Sequence, residues 1–215
     1  MFEKSEGEAV DFFSRPKLID LDNTLIDSVA VYEKHEELAE MYGVSRRQHR
    51  RLLQIAVALY GIGKFSQMHM YDLCKCVCPD LPETILEGWQ ALWLSPRFFP
   101  DARAFLEALP REKNILLTTG YPETQRLKIH THGLGYYFPT IHIVDSPKAM
   151  EIPAPPPETI YFDDSPREID AMKTAYPYVF CVLVRKLPPW ESQKTSALAD
   201  AMFETLEEAL KYFRT

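Results

Sequence analysis

Apolar residues along the chain fall into two patterns. Short runs with abrupt polar ends occur at 17–21, 114–118, 141–144, 159–162 and 179–184, built mostly of Leu, Ile, Val, Phe and Tyr without alternation. Such runs predict strands covered on both faces, as in a parallel sheet. Between several of them the period lengthens to that of a helix. Ala102, Phe105, Leu106 and Leu109 share one side of the segment 101–109; residues 123–131 follow the second run, and residues 166–175 follow the fourth with Pro166 at the helix start. A final amphipathic stretch, 202–213, is expected to pack back on the sheet. This alternation predicts an α/β fold with right-handed crossovers and a mostly parallel sheet.

Residues 28–96 break the alternation and read as consecutive helices at 29–41, 45–59, 66–76 and 82–94, with Ser45 and Gln48 spaced as a capping box. An all-helical block directly after the first strand predicts two domains: a core of 1–27 with 97–215, and an inserted cap of 28–96. Two thin connections would make that cap a hinged lid. The segment 151–158, Glu-Ile-Pro-Ala-Pro-Pro-Pro-Glu, has lost backbone donors to its prolines and is expected to be an extended connector.

Composition narrows the partners. The 215 residues carry 24 Lys plus Arg against 31 Asp plus Glu, a formal charge of -7, which argues against a nucleic-acid polymer or an anionic membrane surface as partner. No apolar run approaches the ~18 residues of a membrane span. The N-terminal residues 1–17 hold no apolar signal core, so a cytoplasmic location is expected. Cys74, Cys76 and Cys78 cluster and Cys181 stands apart, a spacing that fits reduced thiols in a structural role better than a disulfide framework or a paired-knuckle metal site.

In open α/β sheets, ligands bind beyond the C-terminal ends of the strands. The first predicted strand ends in Asp20-Leu21-Asp22-Asn23-Thr24, the second in Thr118-Thr119-Gly120, and the fourth in Asp163-Asp164, with Glu168 shortly after. These ends would bring carboxylates, hydroxyls and a flexible glycine into one crevice. Crowded carboxylates repel one another without a cation, and an all-oxygen ligand set favours Mg²⁺.

These three segments, in this order, resemble the motifs of the haloacid dehalogenase-like hydrolase superfamily: Asp20-Leu21-Asp22-Asn23-Thr24-Leu25, Leu117-Thr118-Thr119-Gly120 and Phe162-Asp163-Asp164-Ser165. Gln125, Lys128, Gly133 and Phe138 match its common spacing, and the helical insert lies where that superfamily carries its cap. The fold class implied is an α/β, Rossmann-like, mostly parallel sheet core with an inserted all-helical cap. The resemblance implies that Asp20 is a nucleophile forming an aspartyl-phosphate and that Asp22 is the general acid/base. It implies that Thr118 binds the transferring phosphoryl group, with Thr119 and Gly120 beside it. Asp164 would coordinate Mg²⁺ with Asp20 and the Asp22 carbonyl, with Asp163 or Glu168 assisting. Neighbouring carboxylates are expected to raise the Asp22 pKa enough for proton donation. Members that cleave carbon–halogen bonds lack that second Asp, because halide leaves without a proton, so Asp22 points to phosphoryl transfer.

The superfamily also places a Lys or Arg after the third strand. Lys148 is the candidate here, although the proline-rich connector stands where a helix often follows. On the cap, Arg46, Arg47, His49, Arg50 and Arg51 form a dense basic cluster in which Arg46/Arg50 and Arg47/Arg51 make two helical rows. The plain reading is a solvated face; the sharper one is that a row faces the crevice and binds the remainder of an anionic substrate, with Arg47 and Arg50 as candidates. Gly61-Ile62-Gly63-Lys64 lacks the rest of a phosphate-binding loop and reads as a helix end. The resulting expectation is a Mg²⁺-dependent phosphatase, monomer or homodimer, acting on a small phosphorylated metabolite such as a nucleotide or sugar phosphate. A phosphomutase and a non-catalytic binding protein are the alternatives.

Overall fold

The computed structural model describes residues 12–95, 97–145, 147–185 and 195–214; Pro96, Ser146 and most of the N-terminal stretch read above lie outside them. The five apolar runs become β1 (Lys17–Ile19), β2 (Asn114–Thr119), β3 (Thr140–Val144), β4 (Ile160–Asp163) and β5 (Phe180–Val184). A sixth strand, β6 (Ala201–Phe203), completes a sheet of order β3-β2-β1-β4-β5-β6, and every neighbouring pair is parallel. The chain winds outward from β1 in both directions, so the switch point opens at the C-terminal ends of β1 and its neighbours β2 and β4.

Side-chain alternation splits the sheet between two apolar layers. Ile19, Leu116, Ile160 and Phe162 face α5 (Pro100–Ala108) and α8 (Leu206–Arg214) in one cluster. Leu18, Leu117, Tyr161 and Leu183 face α7 (Pro166–Ala175) in the other. α6 (Pro122–Thr131) follows β2. Burial of this much apolar side chain on both faces supplies the main driving force for the sheet.

The end of the chain departs from the sequence reading. Ala201–Phe203 pairs with β5 from Val182↔Ala201 to Val184↔Phe203, and the helix begins only at Leu206. The strand runs straight on into the amphipathic stretch, and its three residues form no apolar run of their own. It is fixed instead by Asp200, whose Oδ2 accepts from the Cys181 N–H and from Lys173 Nζ, both at 2.7 Å. Asp101 Oδ2 then accepts the Leu206 N–H at 2.6 Å and caps α8.

The insert forms α1 (Ser28–Met41), α2 (Arg46–Tyr60), α3 (Gln67–Val77) and α4 (Thr84–Trp93) around its own cluster of Ala39, Leu52, Met70, Cys74, Ile85 and Trp89. Ser45 and Gln48 make the expected capping box, and Gly61 ends α2 at φ 79°. Cys74 packs inward while Cys76 points outward, so the cysteine run follows helix geometry. The two connections to the sheet run side by side: Asp27 N–H donates to the Arg97 carbonyl at 2.8 Å, and Phe99 N–H to the Leu25 carbonyl at 3.0 Å. Among the described residues no helix is long and apolar enough to cross a membrane.

Candidate active site

β1 ends directly at Asp20, whose backbone N–H donates to the Phe162 carbonyl at 2.9 Å and so fixes it against β4. The chain then reverses tightly. Asn23 takes φ 60°, a conformation Asn tolerates well, and the Leu25 and Ile26 N–H groups both return to the Leu21 carbonyl. Asn23 Oδ1 and Asp27 Oδ1 accept from the Val29 and Ala30 N–H groups at 3.2 and 2.9 Å, capping α1 where it leaves the site.

Asp20, Asp163 and Asp164 come together at the strand ends, each offering an oxygen within 4.8 Å of the others. Lys148 reaches them despite the missing helix, because a short 3₁₀ turn, Lys148–Met150, begins four residues after the end of β3. Its buried Nζ donates to Asp20 Oδ1 and, at 2.6 Å, to Asp163 Oδ2, while its backbone N–H donates to Glu168 Oε2 at 2.7 Å. Glu168 thus holds the lysine turn. Asp163 also accepts from Tyr161 Oη and from the Ser165 N–H, so both its oxygens are engaged.

The charges do not balance. Burial raises the Asp20 carboxyl to about 7 although Lys148 pulls the other way, with Asp163 adding to the rise. Burial, Asp163 and Asp20 likewise push Asp164 well above the usual carboxylate range. Lys148 itself is held as a cation by the two carboxylates against the cost of its burial. Three carboxylates ionised together here would carry more negative charge than one ammonium neutralises, and Asp20 and Asp164 offer hard oxygens, a donor set that fits Mg²⁺.

β2 delivers Thr118, fully buried, with an Oγ1 that has no partner; Thr119 Oγ1 is also unpartnered, and its carbonyl accepts from Gln125 Nε2 at 2.7 Å. Gly120 lies at φ 151°, and a Cβ there would stand 2.4 Å from that same Nε2.

Asp22 does not join the acid cluster's hydrogen bonds. Its Oδ1 accepts from Lys128 Nζ at 2.7 Å and from Ser28 Oγ, and its Oδ2 from Gln125 Nε2 at 2.7 Å. Burial alone would raise its pKa, but Lys128, Ser28 and Gln125 together hold it below the ordinary value. The expectation of a raised Asp22 pKa is corrected: the three donors outweigh burial, and Asp22 is ionised in this arrangement.

Above Asp22 a cavity of about 300 Å³ opens between the sheet end and the cap. Arg47 and Arg50 do not line it, which corrects the second expectation. α2 turns His49, Leu53 and Val57 to the cavity instead, while Arg47 is exposed and Arg50 forms a two-pronged pair with Glu36 at 2.7 and 2.8 Å. Sequence reading missed Ser28, Tyr32 and His35 and took His49 only as part of the basic cluster. Spacings of four and three along α1, and of four along α2, were the signal that could have found them.

Solved structures were compared with this geometry. The L-2-haloacid dehalogenase of Xanthobacter autotrophicus is 14% identical at a TM-score of 0.68, over 93% of this chain and 98% of that one. The HAD-hydrolase YfnB of Bacillus subtilis, bound to magnesium, is 16% identical at 0.66 over 94% and 99%. The HAD phosphatase of Thermococcus onnurineus is 19% identical at 0.59 over 92% and 97%. This chain has the haloacid dehalogenase-like hydrolase fold. No family model and no curated protein matches the sequence. The haloacid dehalogenase-like neighbours include both a dehalogenase and a phosphatase, so the fold leaves the reaction to be argued from the residues.

Proposed function

We propose that the protein is a Mg²⁺-dependent phosphatase of the haloacid dehalogenase-like superfamily, hydrolysing a small phosphomonoester, with residues 28–96 as its cap. The observation that carries this reading is the charge imbalance at Asp20, Asp163 and Asp164, which Lys148 only partly relieves. Attack of a carboxylate on a phosphate dianion needs a cation between two anions; displacement of halide from carbon does not.

Asp20 and Asp164 would hold Mg²⁺, with the Asp22 carbonyl; the ion supplies charge neutralisation at the phosphoryl oxygens. Asp20 is the nucleophile, oriented by Lys148, and splits one displacement into two. Lys148 is oriented in turn by Asp163 and Glu168. The orphaned Thr118 hydroxyl is placed to donate to the phosphoryl group, with Thr119 and Gly120 shaping the same strand end. Asp22 serves as a base as it stands. Protonation of the leaving oxygen requires its carboxyl to leave Lys128 and gain a proton, which a substrate contacting Lys128 would promote.

The test is phosphate release from a panel of phosphate esters with and without Mg²⁺, run beside a 2-haloacid. Wild type is expected to release phosphate only with Mg²⁺, and Asp20→Asn to fall to background. Halide release without metal, or equal activity of Asp20→Asn, would overturn the reading. Isomerisation of the ester without phosphate release would mark a mutase, and no turnover or isomerisation of any ester would leave a binding protein.

A further inference from the structure

Two histidines over the cavity have no part in that chemistry. His35 from α1 and His49 from α2 are 4% and 1% exposed, and both line the cavity that holds Asp22 and Lys128. His35 Nε2 and both ring nitrogens of His49 are buried without a hydrogen-bond partner. Buried polar atoms are nearly always paired, because leaving one unpaired destabilises the fold. Three such atoms on two residues that line one cavity point to a site whose partners arrive with a ligand.

The rings are held in place. His35 stacks on Trp89 at 5.6 Å and 2°, and His49 meets the same indole edge-on at 5.8 Å and 71°. Tyr32 and Trp93 close around His35 at 5.9 and 5.5 Å. The wall around the two rings is therefore aromatic, and Lys128, the one cation lining the cavity among the described residues, is already paired with Asp22 while lying 4.0 Å from the Trp93 ring. Burial holds His35 down to about 3 and His49 to about 4, so both imidazoles are neutral, each with one N–H donor and one bare acceptor nitrogen. A second anionic group on the substrate would find no free counter-charge here. A flat, uncharged ring with both a donor and an acceptor on its edge would fill the aromatic slot and satisfy the orphaned nitrogens.

We infer that His35 and His49 form a leaving-group subsite for an uncharged heteroaromatic ring carrying an amide-type hydrogen-bonding edge, and that the substrate is a phosphomonoester of that class. This rests on the phosphatase reading for the reaction, but the subsite can be tested without turnover. Uridine, which has such an edge and no phosphate, serves as the binding probe, read by calorimetry on wild type, His49→Phe and His49→Gln. Uridine 5′-phosphate, phenyl phosphate, glucose 6-phosphate and 3-phosphoglycerate serve as the ester panel.

Wild type is expected to bind uridine, and His49→Phe to weaken it at least tenfold, with partial recovery in His49→Gln. The kcat/KM ratio of uridine 5′-phosphate to phenyl phosphate should fall at least tenfold in His49→Phe, mainly through KM. A merely structural histidine would destabilise the protein on replacement. Phe in place of an orphaned imidazole should instead keep or raise the melting temperature. Preference for glucose 6-phosphate or 3-phosphoglycerate, no uridine binding, or equal losses on uridine 5′-phosphate and phenyl phosphate would overturn the inference while leaving the phosphatase reading intact. Uridine binding without phosphate release from any ester would overturn the phosphatase reading and keep the subsite.

Discussion

Lys148 stands between two buried carboxylates, so Lys148→Met would leave Asp20 and Asp163 facing each other without a counter-charge. Removing one partner of a buried pair costs on the order of 3–5 kcal/mol, mostly the penalty of the charges left behind. The variant should therefore unfold at markedly lower urea near pH 7.5, and the deficit should shrink toward pH 5 as the Asp20 carboxyl, raised to about 7 even beside the lysine, takes up its proton; an equal deficit at both values would contradict this account. Gly120→Ala acts on the other acid. Its Cβ would press on the Gln125 amide that holds Asp22, and a misplaced catalytic carboxylate costs up to ~100-fold in rate. A steady-state assay should find kcat reduced with KM little changed. Asp20, Asp22, Thr118, Asp163 and Asp164 were legible because each lies at the end of an apolar run, where position follows from the strand. The partners of Asp22 and the inward turn of His35 and His49 were not, since they depend on how α1, α2 and α6 rotate against one another.

At the scale of elements, local signals were sufficient where an element carries its own cap or period. Ser45→Ala removes the hydroxyl that accepts the Gln48 N–H at 3.4 Å, one half of the α2 capping box. It should lower stability by about 1 kcal/mol, seen as a shift of the urea midpoint, because the same hydroxyl also donates to Gln48 Oε1 at 2.6 Å and both bonds are lost. The other five strands announced themselves by apolar runs with abrupt polar ends. β6 did not, because its place is set by a ladder to β5 and by the Asp200 carboxylate rather than by its own residues. The connector after β3 was legible as non-helical from its prolines. What holds it is not local: Tyr176 Oη donates to the Ala149 and Ile152 carbonyls, and Tyr178 Oη to the Pro155 carbonyl.

For the whole molecule, acid should act in opposite directions on its two parts. Below about 6.5 an unfolded chain protonates His35 and His49 freely, whereas the folded cap keeps them neutral down to about 3 and 4. The unfolded cap thus binds more protons, and its folded form loses stability as pH falls through that window, by about 1.4 kcal/mol for each tenfold difference in proton affinity. Lys128 opposes a charge on His35; near His49, Arg50 opposes it while Glu36 favours it, and burial remains the largest cause at both rings. In the sheet the sign reverses. Asp20, raised from 3.8 to about 7, stabilises the folded core as it takes up a proton below that value. Because cap and core have separate apolar clusters and are joined by two paired connections, the cap should loosen first. Hydrogen exchange between pH 6.5 and 4.5 should show the amides of α1 and α2 losing protection, corrected for intrinsic rates, before those of β1 and β4. In the double variant His35→Phe, His49→Phe that early loss should disappear. An early loss of the same size in both proteins would mean that some other group, and not the buried imidazoles, sets the acid response of the cap.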